Sequence, residues 1–167
     1  MTATETVRAT ATVTITSSPV GTAGVEPGDE KTRPRPSGGV ALTDLTRLGP
    51  DPARLGPATM ATKQYEDAIL IDHPCVSSLD YSLNERYKTL TLTIGLDDAS
   101  TAPSAKVTIY GDGGSRKSFA VEINRPRQLT VDVSGVVRLG IQPELSADGF
   151  CDDEGVHLVV ADAVLHT

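Results

Sequence analysis

The chain has no tryptophan, only four tyrosines and two phenylalanines, and no apolar run long enough to cross a bilayer. A core built without large rings must come mainly from Val, Leu, Ile and Ala, and 167 residues can bury one such core without covalent staples. Positive charge is in deficit too. The formal net charge of −7 excludes nonspecific attraction to nucleic acid or to an anionic membrane as a working expectation. The opening "MTATETVRATATVTITSS" lacks both a basic start and a continuous apolar run, so no secretory leader is read there. The chain is then expected to stay where it is made, to leave by another route, or to be excised from a longer secreted protein. Cysteine is limited to Cys75 and Cys151, which could form a bridge or remain two buried thiols.

Catalytic motifs are missing as well. No G-x-S-x-G elbow occurs, neither cysteine sits in a nucleophile motif, and His73, His157 and His166 lack ligand spacing. The stretch "IYGDGGSRKS" (109–118) has the residue types of a phosphate loop but not their order. Arg116 stands where a glycine must precede Lys-Ser, and "SFAVEIN" after it is a strand pattern that offers no helix N-terminus to an anion. The expected element is a hairpin turn, with Asp-Gly supplying the positive φ angles. Two acidic clusters, Asp97 and Asp98 in "GLDDAS" and Asp148 to Glu154 in "DGFCDDEG", could offer oxygens to calcium, although neither has EF-hand spacing. Solvated loop carboxylates are the competing reading.

What the chain does have is alternation. "TVRATATVTIT" (6–16) places Val7, Ala9, Ala11, Val13 and Ile15 on one face, the pattern of a half-buried strand. The Pro-, Gly- and charge-rich segment that follows has no period and reads as a linker, giving an arm over 1–17 and a linker over 18–38. From residue 39 a compact domain begins. "VALTDLTRL" is compatible with a strand, whereas "LGPDPARLGPA" is expected to break any regular element. "YKTLTLTIGL", "AKVTIY", "SFAVEIN", "LTVDVSGV" and "VVRLGIQ" repeat the two-residue period with short turns between, and "VHLVVADAVL" is the last strand. No segment shows a helical apolar stripe. Short strands at close spacing predict an all-β antiparallel sandwich or barrel.

The order of "LTIGLDDAS", "AKVTIYGDGG", "LTVDVSGVVRLGI" and "VHLVVADAVL" resembles the NPCBM/NEW2 domain. Upstream, "ALTDLTRLGPDPARLGP" is similar to that family's opening strand and loop, and "ILIDHPCVSSLDYSL" to its segment where a histidine precedes a Tyr-rich strand. The resemblance extends over about residues 39–167. It implies a galactose-binding-like, jelly-roll β-sandwich that binds carbohydrate and is often attached to bacterial glycoside hydrolases. The family's closing pattern, D-H-A-D-W-A-D-A-R-L, is kept here at His157 and Asp162. Aliphatics replace the first aspartate, the tryptophan and the arginine.

Carried over residue by residue, the resemblance implies ligand contacts from His73, Tyr81, His157 and Asp162. Their roles would be hydrogen bonding to hydroxyls, with Tyr81 as a stacking surface and Asp97 and Asp98 nearby for a possible calcium ion. It also implies that Cys75 and Cys151 lie at the same end of the sandwich, close enough to bridge. Sugar recognition combines an aromatic platform with polar groups, and with six aromatic residues the platform is thin. The expected function is a non-catalytic module that recognises a glycan or cell-surface polysaccharide. The alternative is an assembly protein, such as a virion or appendage component, whose residues 6–16 add a strand to a neighbouring copy. The carbohydrate reading would place the protein outside the cell or on a virion surface.

Overall fold

The computed structural model describes residues 38–49, 53–72, 78–144 and 155–167. All belong to the second of two units, Met1–Arg33 and Pro34–Thr167. The expected arm, the linker up to residue 37, His73, Cys75, Cys151 and the 148–154 acidic cluster therefore lie outside the described residues.

Eleven strands follow one another: β1 (Val40–Ala41), β2 (Arg47–Leu48), β3 (Ala53–Met60), β4 (Lys63–Ile71), β5 (Leu79–Ser82), β6 (Thr89–Leu96), β7 (Ser104–Gly111), β8 (Gly114–Glu122), β9 (Arg127–Asp132), β10 (Arg138–Glu144) and β11 (Leu158–His166). Among the described residues the one helical element is a 3₁₀ turn, Leu42–Asp44. A six-stranded sheet runs β3-β4-β11-β6-β9, with β1 on β11, and a five-stranded sheet runs β2-β5-β10-β7-β8. Every pairing is antiparallel, so the molecule is a β-sandwich.

Alternation explains most of these strands. In β6, Leu90, Leu92, Ile94 and Leu96 enter the core between the sheets, while Thr89, Thr91 and Thr93 turn to the outer face. β11 reads as almost unbroken apolar sequence because both its faces are covered. Leu158 and Val160 join the main core, and Val159 and Ala161 join a second cluster with Ala58, Met60, Tyr65, Ala68 and Leu70. The segment 109–118 is the expected hairpin. Gly111 pairs with Gly114 across Asp112 (φ 52°) and Gly113 (φ 81°), the two positive angles of a type I′ turn.

One expectation is corrected. "LGPDPARLGPA" does not break regular structure, because β3 begins at Ala53 and continues through Pro57. Proline is tolerated there because β3 is a sheet edge and the register slips between Gly56 and Ala58. Past this irregularity β4 leaves β11, whose partners on β4 are confined to Ile69–Ile71. The end of the hairpin therefore curls over the outer face of its own sheet. There Met60 Sδ comes so close to Gly95 on β6 that a Cβ at residue 95 would sit 2.9 Å from it. Glycine at this position lets the thioether close the second cluster.

Candidate functional site

β4 and β11 are paired at Ile71 and Leu158. Ile69, Ile71, Leu158 and Val160 point into the main core, so Asp72 and His157, the residues next to that pair, turn outward. Arg54 lies opposite Leu70 on β3, also on the outer face. The three side chains meet at one end of the six-stranded sheet. Arg54 Nε donates to Asp72 Oδ2 at 2.8 Å, and His157 Nδ1 lies 2.9 Å from Asp72 Oδ1. An ionised carboxylate only accepts, so Nδ1 carries the proton and Nε2 is left as the second polar atom of the ring. The Arg54 bond, opposed by partial burial and assisted by His157, holds the Asp72 carboxyl below its ordinary range. All three groups remain accessible, with side chains 59% (Arg54), 30% (Asp72) and 31% (His157) exposed.

The backbone fixes the ring as well. His157 N–H donates to Ser100 Oγ at 3.0 Å, and the His157 carbonyl accepts from Asp97 N–H at 2.9 Å. What results is an exposed, preoriented row of donors and acceptors able to read vicinal hydroxyls.

The other expected site residues that the structure describes have different partners. Asp97 and Asp98 hold the curled hairpin: Asp97 Oδ2 accepts from Thr59 N–H at 2.9 Å and Oδ1 from Ala99 N–H at 3.0 Å. Asp98 Oδ1 and Oδ2 accept from Ala61 and Thr62 at 2.7 and 2.9 Å. All four oxygens are thus engaged by backbone amides. Among the described residues no group of three His, Cys, Asp or Glu side chains could hold a metal ion. Tyr81 is 1% exposed and belongs to the main core, so its ring packs between the sheets instead of offering an open face.

Asp162 sits in mid-strand at a bulge of β11, with φ 49°, where the register against β6 shifts between Ala161 and Val164. With Thr91, Leu92, Thr93, Gln128, Leu129 and Thr130 it lines a shallow recess of about 300 Å³. His157 and Asp162 are therefore not brought together. Arg54 and Asp72 carry no motif, and their nearness to His157 follows from the pairing of β3, β4 and β11, which local spacing does not reveal.

A family model of the NPCBM/NEW2 domain matches residues 56–165. Solved structures provide further likenesses. One is the CBM51-2 module with INT domains from Clostridium perfringens ZmpB, in complex with GlcNAc; it is 20% identical over 76% of this chain and 31% of that one, with a TM-score of 0.60. A second is the CBM51 of Clostridium perfringens GH95 in complex with methyl-galactose, 18% identical over 76% of this chain and 99% of that one, with a TM-score of 0.60. A third is the tandem CBM51 pair of a family 98 glycoside hydrolase from Streptococcus pneumoniae, 14% identical over 78% and 47%, with a TM-score of 0.61. At these identities the likeness is one of fold. No curated protein matches the chain.

Proposed function

The chain belongs to the NPCBM/NEW2 domain family, and from that premise we propose that it is a non-catalytic carbohydrate-binding module. The observation that carries the reading is the Arg54–Asp72–His157 row, which lies at the histidine the family pattern retains. Guanidinium nitrogens donate to sugar hydroxyls, while the carboxylate and the unprotonated Nε2 of the neutral imidazole accept. Fixing all three on strand ends lowers the ordering penalty of binding a small, strongly hydrated ligand. Asp162 and its recess lie on the same outer face but are separated from the row by the curled hairpin, which covers Val159 and Ala161 between them. The similar modules solved with GlcNAc and with methyl-galactose make a hexopyranose the ligand class to try first.

Calorimetric titration of the protein with methyl-galactose and with GlcNAc tests this directly. His157→Ala or Arg54→Ala should weaken binding about tenfold or more, since each removes a hydrogen bond involving a charged or strongly polar partner. Both variants should keep the parent's melting temperature within a few degrees. Unchanged affinity in both would remove the row from the binding site. The absence of binding to any hexopyranose or glycan would overturn the module reading itself.

A further inference from the structure

The five-stranded sheet has an outer face of its own, on the opposite side of the sandwich from His157. In β7, Ala105, Val107 and Ile109 enter the main core, so Lys106, Thr108 and Tyr110 face outward. In β10, Leu139 and Ile141 enter it, so Gly140 and Glu144 face outward, and on β5 Asp80 does the same between Leu79 and Tyr81. Register places Asp80, Gly140 and Tyr110 in one row across β5, β10 and β7.

Tyr110 is unlike the other described aromatics. Tyr65, Tyr81 and Tyr87 are buried in the two clusters and Phe119 packs against the main one, whereas Tyr110 joins neither and stays partly exposed. Lys106 is the principal cause that holds the Glu144 carboxyl below its ordinary range, and the Tyr110 hydroxyl is near enough to contribute. Glu144 is paired with Lys106, four residues from Tyr110, so the hydroxyl approaches that neighbourhood along the sheet, past Thr108 and Gln142. Thr108, between Gln142 on β10 and Ser118 on β8, to whose Oγ it donates at 3.0 Å, is 4% exposed.

The surroundings are polar and fixed. On one side Arg138 Nη2 lies 3.2 Å from Asp80 Oδ2, and on the other Lys106 Nζ lies 2.9 Å from Glu144 Oε2. Between Asp80 and Tyr110 there is only Gly140, where a Cβ would come within 3.2 Å of Asp80 Oδ1 and 3.6 Å of Tyr110 Cβ. Any side chain there would fill the gap beside the ring.

We propose that this face is a second carbohydrate-binding platform, on which Tyr110 stacks against the apolar face of a pyranose while the Asp80–Arg138 and Lys106–Glu144 pairs bond its hydroxyls. The occupant is a hexopyranose unit because a flat ring bordered by two donor–acceptor pairs complements a sugar's C–H face and its hydroxyl rim. All five side chains stand on strands, which fixes their spacing. With the His157 row on the far side, one chain would engage two glycan branches and gain avidity on a dense surface.

The inference rests on the carbohydrate reading, and the test separates the two. The full chain is applied to an array of immobilised glycans beside Tyr110→Ala, Tyr110→Phe and His157→Ala, each checked by circular dichroism for unchanged melting. Tyr110→Ala should lose at least fivefold in apparent affinity and Tyr110→Phe, which keeps the ring, less than twofold. In His157→Ala, a nitrogen-15 NMR titration with methyl-galactose and GlcNAc should still shift amides at 106–110 and 140–144. Parent-like binding by Tyr110→Ala, or no shift at those amides, overturns the platform while leaving the His157 site standing. A chain that binds no glycan on the array overturns both.

Discussion

Asp72 joins two potential cations on one carboxylate, and this makes it the residue whose protonation the fold feels. Its carboxyl is held below the ordinary value of 3.8 first by Arg54 and, after the opposing effect of burial, by His157. A depressed folded value means that the unfolded chain binds the proton more tightly. The contribution to stability is therefore present above the ordinary carboxyl value and is lost as pH falls through the folded one. Asp72→Asn should remove about 1 kcal/mol at neutral pH, a modest figure because the pair is about one-third exposed. It should also flatten the fall in melting temperature on going from neutral to strongly acidic solution. Melting curves of parent and variant that run parallel down to pH 3 would contradict this. At the same scale, little of the site was legible beforehand. His157 was marked by the family pattern, but Asp72 and Arg54 are ordinary charged residues until β3, β4 and β11 are paired. Tyr81, carried over from the family resemblance, is a core residue here, which the motif alone does not reveal.

Whole strands were far easier to read than single residues, and the exceptions share a cause. β6, β7, β9 and β10 announce themselves because each sends every second side chain into one core, and β11 does so as a nearly unbroken apolar run covered on both faces. β3 did not, since its proline and glycines look like a breaker unless the strand is known to lie at an edge. The β3–β4 turn was hidden for a related reason. Its central residues are Ala61 (φ 50°) and Thr62 (φ 65°), where Asn-Gly would be the usual signal, and a β-branched residue in that region is strained. The compensation comes from 36 residues away in sequence, where Asp98 accepts both amides. Asp98→Ala should accordingly lower stability by about 1–2 kcal/mol, a drop of several degrees in melting temperature. Replacing Ala61-Thr62 by Asn-Gly relieves the strain at its source and should raise stability by about 1 kcal/mol. If both changes leave thermal unfolding where it was, the clasp contributes nothing to folding.

At the scale of the molecule, the main core among the described residues runs from Leu42 to Leu165, closed by strands within residues 40–166. A sandwich whose two inner faces cover each other completely needs no further element to bury them. Residues 6–16 nevertheless alternate like a strand, and an isolated strand showing Val7, Val13 and Ile15 to water is unstable. We propose that the arm serves association and that the sandwich folds without it. A chain beginning at residue 38 should therefore unfold cooperatively within a few degrees of the full chain, and should bind the same glycans with the same affinity. Light scattering behind a sizing column adds the second half of the test. The full chain is expected to run as an oligomer and the shortened one as a monomer, because exchange through a long hinge adds strand pairing at little conformational expense. If the shortened chain fails to fold, the arm is a strand of its own sandwich. If both run as monomers at high concentration, the alternation in residues 6–16 serves some contact other than one between copies.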